Sequence, residues 1–217
     1  MLCLLVAAIT VSPKATPTTY TLVPKETVWV YANASTPGDG TYLRAWGAGG
    51  KSTPPDGEDA GELSFSYLKW DLSDVKPFGH IVSAKLVLNN TPDPGFTKDS
   101  SKQTPIEVRP LIGEFDAKKW TFDMSAKIHP KGDAVLGTGY PLLIIEGKPV
   151  EISVTLDNAK FAKLITDGMA ATNHALYLSL TSALDPSESG RSSIYKFYGQ
   201  NESNASLRPQ LVLIVEL

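Results

Sequence analysis

Residues 66–88 read SYLKWDLSDVKPFGHIVSAKLVL. In the first part Leu68, Trp70 and Leu72 alternate with Tyr67, Lys69 and Asp71. In the last part Ala84, Leu86 and Leu88 alternate with Lys85, Val87 and Asn89. Successive side chains of a strand point to opposite faces, so a period of two marks a strand with one buried face. The segment between carries Asp, Ser, Pro and Gly, which break ladders and supply turn dihedrals. The stretch therefore reads as strand, turn, strand.

The same period recurs on both sides. TVWVYA (27–32), TYLRAW (41–46), PIEVRPL (105–111), VEISVTL (150–156), ALYLSLT (175–181), SIYKFYG (193–199) and PQLVLIVEL (209–217) all read as strands. Turn clusters separate them: STPGDG (35–40), GGKSTPPDGEDAG (49–61), NTPDPG (90–95) and DPSESG (185–190). Short strands between such turns predict an all-β fold, a jelly-roll or β-sandwich of about nine or ten antiparallel strands. One segment breaks the period. Phe161, Leu164, Ile165 and Gly168 fall at helical spacing behind Asp157 or Asn158 as N-cap, which predicts one short helix near 158–171 across an end of the sandwich.

The composition suits one domain. The 217 residues are 42% hydrophobic and 20% charged, enough apolar content for a sizeable core. A net charge of -3 provides no basic field for nucleic acid, and none is expected as a partner. One cysteine, Cys3, excludes an intramolecular disulfide framework and four-cysteine zinc sites. His80, His129 and His174 show no metal-ligand spacing. Residues 1–10, MLCLLVAAIT, are too short to span a bilayer but have the length of a signal-peptide core. A leader and linker over 1–18, a single domain over 19–217, and a secreted or cell-surface location without stable membrane insertion are expected. SPKATPTT (12–19) reads as an unstructured connector. Sequons occur at Asn33, Asn89, Asn201 and Asn204, with chance the default explanation.

A family resemblance follows from the order of four pieces. A strand with a basic residue, an aromatic-Asp-Leu-Ser turn and I-x-S-A-K-L-x-L (66–88) resemble the DNRLRE domain. TYLRAW resembles its early strand, residues 150–180 its strand, helix and strand, and YKFYGQNESNASLRPQLVLIV (195–215) its closing strands. The middle departs: GEFDAKKWTFD (113–123) has only Glu114, Phe115, Trp120 and Thr121 where the family shows a W-x-E and T-W pair. The resemblance implies a secreted β-sandwich carbohydrate-binding module. It further implies an acidic, alginate-like polysaccharide as ligand, and association with a polysaccharide-degrading enzyme or a surface assembly.

The residues themselves can do such chemistry. With Leu43, Leu68, Val108 and Phe197 in the core, alternation turns Arg44, Lys69, Arg109 and Lys196 outward. Tyr42, Trp46 and Tyr198 share those faces. Aromatic planes stack on sugar rings, and cations hold uronate carboxylates. Arg44, Trp46, Lys69, Arg109, Lys196 and Tyr198 are therefore the expected ligand-binding residues, against the plain alternative that Lys and Arg only solvate a sheet. Trp70 reads as core; Trp29 and Trp120 have no assigned place. No cofactor motif is present, but Asp39, Asp56, Glu58, Asp59 and Glu62 make a structural calcium a candidate, with no ligand set indicated.

Catalysis is not expected. YKFYGQ resembles the tyrosine-bearing strand of jelly-roll alginate lyases, but their glutamine-x-histidine strand has no counterpart. No pair of carboxylates is nominated for glycoside hydrolysis. The alternatives to a binding module are a structural or adhesive domain of an extracellular assembly and, behind it, a polysaccharide lyase.

Overall fold

The computed structural model describes residues 16–31, 40–47, 64–111, 113–125, 134–184 and 194–216. The strands are β1 (Thr18–Leu22), β2 (Glu26–Tyr31), β3 (Tyr42–Ala45), β4 (Ser64–Asp71), β5 (His80–Asn90), β6 (Ile106–Pro110), β7 (Gly137–Gly139), β8 (Val150–Thr155), β9 (Ala175–Thr181), β10 (Tyr195–Tyr198) and β11 (Gln210–Glu216). The helices are α1 (Lys98–Gln103), α2 (Phe122–Ser125) and α3 (Asn158–Ala170), with a 3-10 turn at Ala205–Leu207.

Two antiparallel sheets form the sandwich. The first runs β1-β11-β5-β10-β3, with β8 also on β5; the second runs β2-β4-β9-β6-β7. The long β5 is the hub. It pairs with β11 over most of its length, with β8 from Lys85 to Asn90, and with β10 at Asn90. Between the sheets lie the alternating apolar positions, among them Leu43, Leu68, Trp70, Leu86, Leu88, Ile152, Leu178, Phe197 and Leu213. Each such side chain, fully buried, contributes about 1.5–3 kcal/mol. The Trp70 ring sits in this core and its Nε1 donates to the Leu22 carbonyl at 3.3 Å.

The expected helix is present. Asp157 is its N-cap, accepting from the Ala159 and Lys160 amides at 3.0 and 3.1 Å. Phe161 and Ile165 enter the core, and α3 touches both β5 and β9, so it closes an end of the sandwich. Two shorter helices, α1 and α2, were not expected; α1 is nucleated by a capping box between Thr97 and Ser100. The connector also ends earlier than expected: Thr18 and Thr19 pair with Val215 and Ile214. The apolar segment 1–10 lies outside the described residues.

The sheets approach each other at both flanks. At one, β7 lies against β8. A Cβ on Gly137 would stand 2.2 Å from the Thr155 carbonyl oxygen, so only glycine allows the contact. At the other, Trp46 forms an antiparallel bridge with Ser64, joining the end of β3 to β4.

A further layer covers the second sheet. Phe65, Tyr67, Val28 and Val30 point away from the sandwich core, yet all are buried, under Leu111, Phe115 and Trp120. Tyr67 was expected among the outward residues. It is enclosed instead, its ring 5.8 Å from Trp120 and 5.9 Å from Phe115. Burial pushes its phenol well above the usual tyrosine range. The departure of residues 113–123 from the family pattern falls on this cover, which also gives Trp120 its place. Among the described residues no helix is long and apolar enough to cross a membrane.

Candidate functional site

The clearest site is built on the β3–β10 pair. In its register Arg44 faces Lys196 and Tyr42 faces Tyr198. Their neighbours Leu43, Ala45, Tyr195 and Phe197 fill the core, so these four project from the opposite face. The Lys196 Nζ lies 4.1 Å from the centre of the Tyr42 ring. The Arg44 guanidinium crosses to β2 and lies 4.6 Å from the centre of the Trp29 ring. Tyr42 and Tyr198 stand 6.0 Å apart, tilted by 39°. Cations over aromatic faces are held by the ring quadrupole, worth about 0.5–1 kcal/mol at exposed sites.

Buried polar side chains fix both cation-bearing backbones. The Ser66 hydroxyl accepts from the Arg44 amide at 2.9 Å and donates to the Arg44 carbonyl at 2.8 Å. It thus acts for β3 as a neighbouring strand would. The Asn90 Oδ1 accepts from the Lys196 amide at 2.7 Å, and the Thr91 amide donates to the Lys196 carbonyl at 2.8 Å.

Neither cation has an acidic partner among the described residues. Burial, and behind it the charge of Arg44, hold the Lys196 ammonium below the usual lysine range. Burial first, then Glu202 and Tyr42, push the Tyr198 phenol up. The Arg44 Nε is buried without a hydrogen-bond partner among the described residues. The face therefore presents two adjacent positive charges, partly desolvated, beside three aromatic rings. That suits an anion carried on a ring or chain with an apolar side.

Of the six expected residues, this face gathers Arg44, Lys196 and Tyr198. The other three go elsewhere. Trp46 is buried against Tyr31, ring centres 5.3 Å apart, and has no free face for a sugar. Lys69 is on the second sheet, where its Nζ donates to Glu26 Oε1 at 2.9 Å. That hydrogen bond is the main reason its ammonium is raised above the usual range.

Arg109 is also on the second sheet and is only 2% exposed. Its guanidinium donates to Glu107 at 2.6 Å and, through Nε, to Thr181 Oγ1 at 3.1 Å. It is a neutralised structural charge, not a surface cation. Alternation sorted these residues by face but not by sheet, and it carries no information on what covers a face. Trp29 had no assigned place in the sequence; its position opposite Ser66 on β2 brings it under Arg44.

A second feature adjoins the first. A cleft of about 810 Å³ is lined by Glu26, Lys69, Glu114, Asp116, Lys118 and Gln200, among others. Glu26 Oε2 accepts from the Ala117 amide at 3.3 Å. Glu114 accepts from Asn173 at 2.5 Å, and Asn173 also donates to the Tyr177 hydroxyl at 3.0 Å.

The candidate calcium carboxylates at 39, 56, 58, 59 and 62 lie outside the described residues. Among the described residues no group of three or more His, Cys, Asp or Glu side chains could hold a metal ion. His80 Nε2 lies 3.3 Å from Glu216, and the His174 ring meets the Met169 carbonyl at 2.8 Å. No family model matches the chain, and no curated protein matches it significantly.

Proposed function

We propose that the protein is a secreted or cell-surface, non-catalytic carbohydrate-binding domain. It docks an acidic, uronate-containing, alginate-like polysaccharide on the face formed by Arg44, Lys196, Tyr42, Tyr198 and Trp29. The observation that carries this reading is the cross-strand pair of cations, each beside an aromatic ring and neither with an acidic partner among the described residues. A uronate supplies both complements: a carboxylate for the charges and a sugar face for the rings. The ordered resemblance to the DNRLRE domain supports the same ligand class.

Affinity electrophoresis against alginate, pectate, a sulfated glycan and neutral xylan tests this. Retardation on the acidic glycans that weakens with salt is expected, with no growth of unsaturated uronate ends. A charge-assisted hydrogen bond is worth about 1.5–3 kcal/mol, so Arg44→Ala or Lys196→Ala should each weaken binding about tenfold or more. No retardation on any acidic glycan would refute the reading.

One observation favours a structural or adhesive domain as the second reading. Leu142, Leu143 and Ile145 are 75%, 65% and 52% exposed in one loop between β7 and β8. Self-association in sedimentation, lost in Leu142→Ser/Leu143→Ser, would support it.

A further inference from the structure

The cleft differs in chemistry from the cation face. Its carboxylates outnumber its ammonium groups, and Lys69 is already engaged by Glu26. Lys118 is the remaining cation of the lining, so the cleft carries a slight excess of negative charge and attracts a carboxylate less than the cation face does. The carboxylates are oriented by neutral donors: Ala117 holds one oxygen of Glu26, and Asn173 holds one of Glu114. A carboxylate has about four lone-pair sites, so each retains free acceptors. Gln200 and Asn201 add amides, which both donate and accept. Hydroxyl groups also both donate and accept. Acceptors and amides lining one cleft therefore fit an uncharged, hydroxyl-rich sugar.

The cleft and the face are joined by rigid backbone. Tyr198 belongs to the face and Gln200 to the cleft, two residues apart, or about 7 Å of extended chain. Between them Gly199 packs so closely that an added Cβ would lie 2.0 Å from the Gly40 carbonyl oxygen. The Gly199 amide donates to the Thr41 carbonyl at 2.8 Å, and the Gln200 amide donates to Thr27 Oγ1 at 3.2 Å. The two regions are thus held at a fixed short spacing.

We infer that the cleft is a second saccharide subsite, which takes a neutral sugar residue of the same chain whose acidic residue rests on Arg44 and Lys196. This rests on the function proposed above. Within the acidic glycans it moves the preferred ligand from a homopolyuronate such as alginate to a heteropolysaccharide in which uronate and neutral sugars are neighbours.

Calorimetric titration with a homopolyuronate and with a mixed uronate–neutral-sugar polysaccharide tests the inference. Wild-type protein should bind the mixed polymer about tenfold tighter or more. The double variant Glu114→Ala/Gln200→Ala should lose that preference and bind the homopolyuronate as wild type does, with an unchanged melting temperature. Arg44→Ala should weaken both polymers alike. As a readout independent of the variants' folding, a neutral oligosaccharide should shift the backbone amide resonances of Gln200 and Asn201 in the wild-type protein. Equal affinity for the two polymers, or a preference that survives in the double variant, would overturn the inference and leave the acidic-glycan reading standing. Absence of binding to every acidic polymer would overturn both.

Discussion

The Ser66 hydroxyl grips both backbone groups of Arg44, accepting from its amide at 2.9 Å and donating to its carbonyl at 2.8 Å. One small side chain on β4 thereby holds a strand of the opposite sheet. Ser66→Ala would leave a buried donor and acceptor without their partner. A loss of stability of about 1–3 kcal/mol is expected, with weaker glycan binding because Arg44 is no longer held. Chemical denaturation and titration of the same variant check both. Unchanged stability would show that β3 needs no such support.

The cation pair predicts a pH dependence. Burial and Arg44 lower the Lys196 pKa, so its ammonium loses its proton below the usual lysine value of about 10.4. Affinity for an acidic glycan should fall as pH rises through that lowered value, while Lys196→Arg should stay flat over the same range. Stability should move the other way. The unfolded chain binds more protons between the lowered folded pKa and the unfolded one, so this group's contribution to stability rises with pH across that window. Coincident pH profiles for wild type and Lys196→Arg would refute the assignment.

Glu107 neutralises Arg109, two residues along β6, at 2.6 Å. Removing one member of a buried ion pair costs about 3–5 kcal/mol. Since Glu107 keeps some access to water, Glu107→Ala should fall near the lower end of that range. Glycan affinity of the folded fraction should not change. A shift in affinity would return Arg109 to the binding surface.

The contact of β7 on β8 depends on glycine. In Gly137→Ala the new methyl would meet the Thr155 carbonyl oxygen at 2.2 Å and Val154 Cγ1 at 3.0 Å. Relief requires the strands to part, so a destabilisation of about 1–3 kcal/mol is expected, read as a lowered melting temperature. A wild-type melting temperature would mean that β7 moves off without cost.

Much of this architecture is legible in the sequence. A period of two depends only on the pleat, so Leu68, Trp70, Leu86, Ile152 and Leu178 could be assigned to the core from spacing alone. Asp157 could be read as a cap because its side chain serves the amides immediately after it. The site was only partly legible, because strand pairing is non-local. Nothing in TYLRAW or YKFYG states that Arg44 and Lys196 are opposite each other while Lys69 lies in another sheet. Arg109 failed for a different reason: an outward position is exposed only if nothing further covers it or pairs with it. A signal for the extra layer was available in Phe65 and Tyr67 on an outward face, together with Phe115, Trp120 and Phe122 in a segment without strand period.

That extra layer divides the molecule into parts of unequal permanence. The strands β4 and β9 lie between the sandwich core and the cover, so their amides should exchange with solvent most slowly. The cover rests on a small apolar cluster of its own and carries Glu114 to Lys118, one wall of the cleft. Opening of the cover as a local unit, with the sandwich still folded, would dismantle the cleft. A ligand seated there would be a latch, slowing deuterium uptake across residues 113–125 while leaving that of β5 and β11 unchanged.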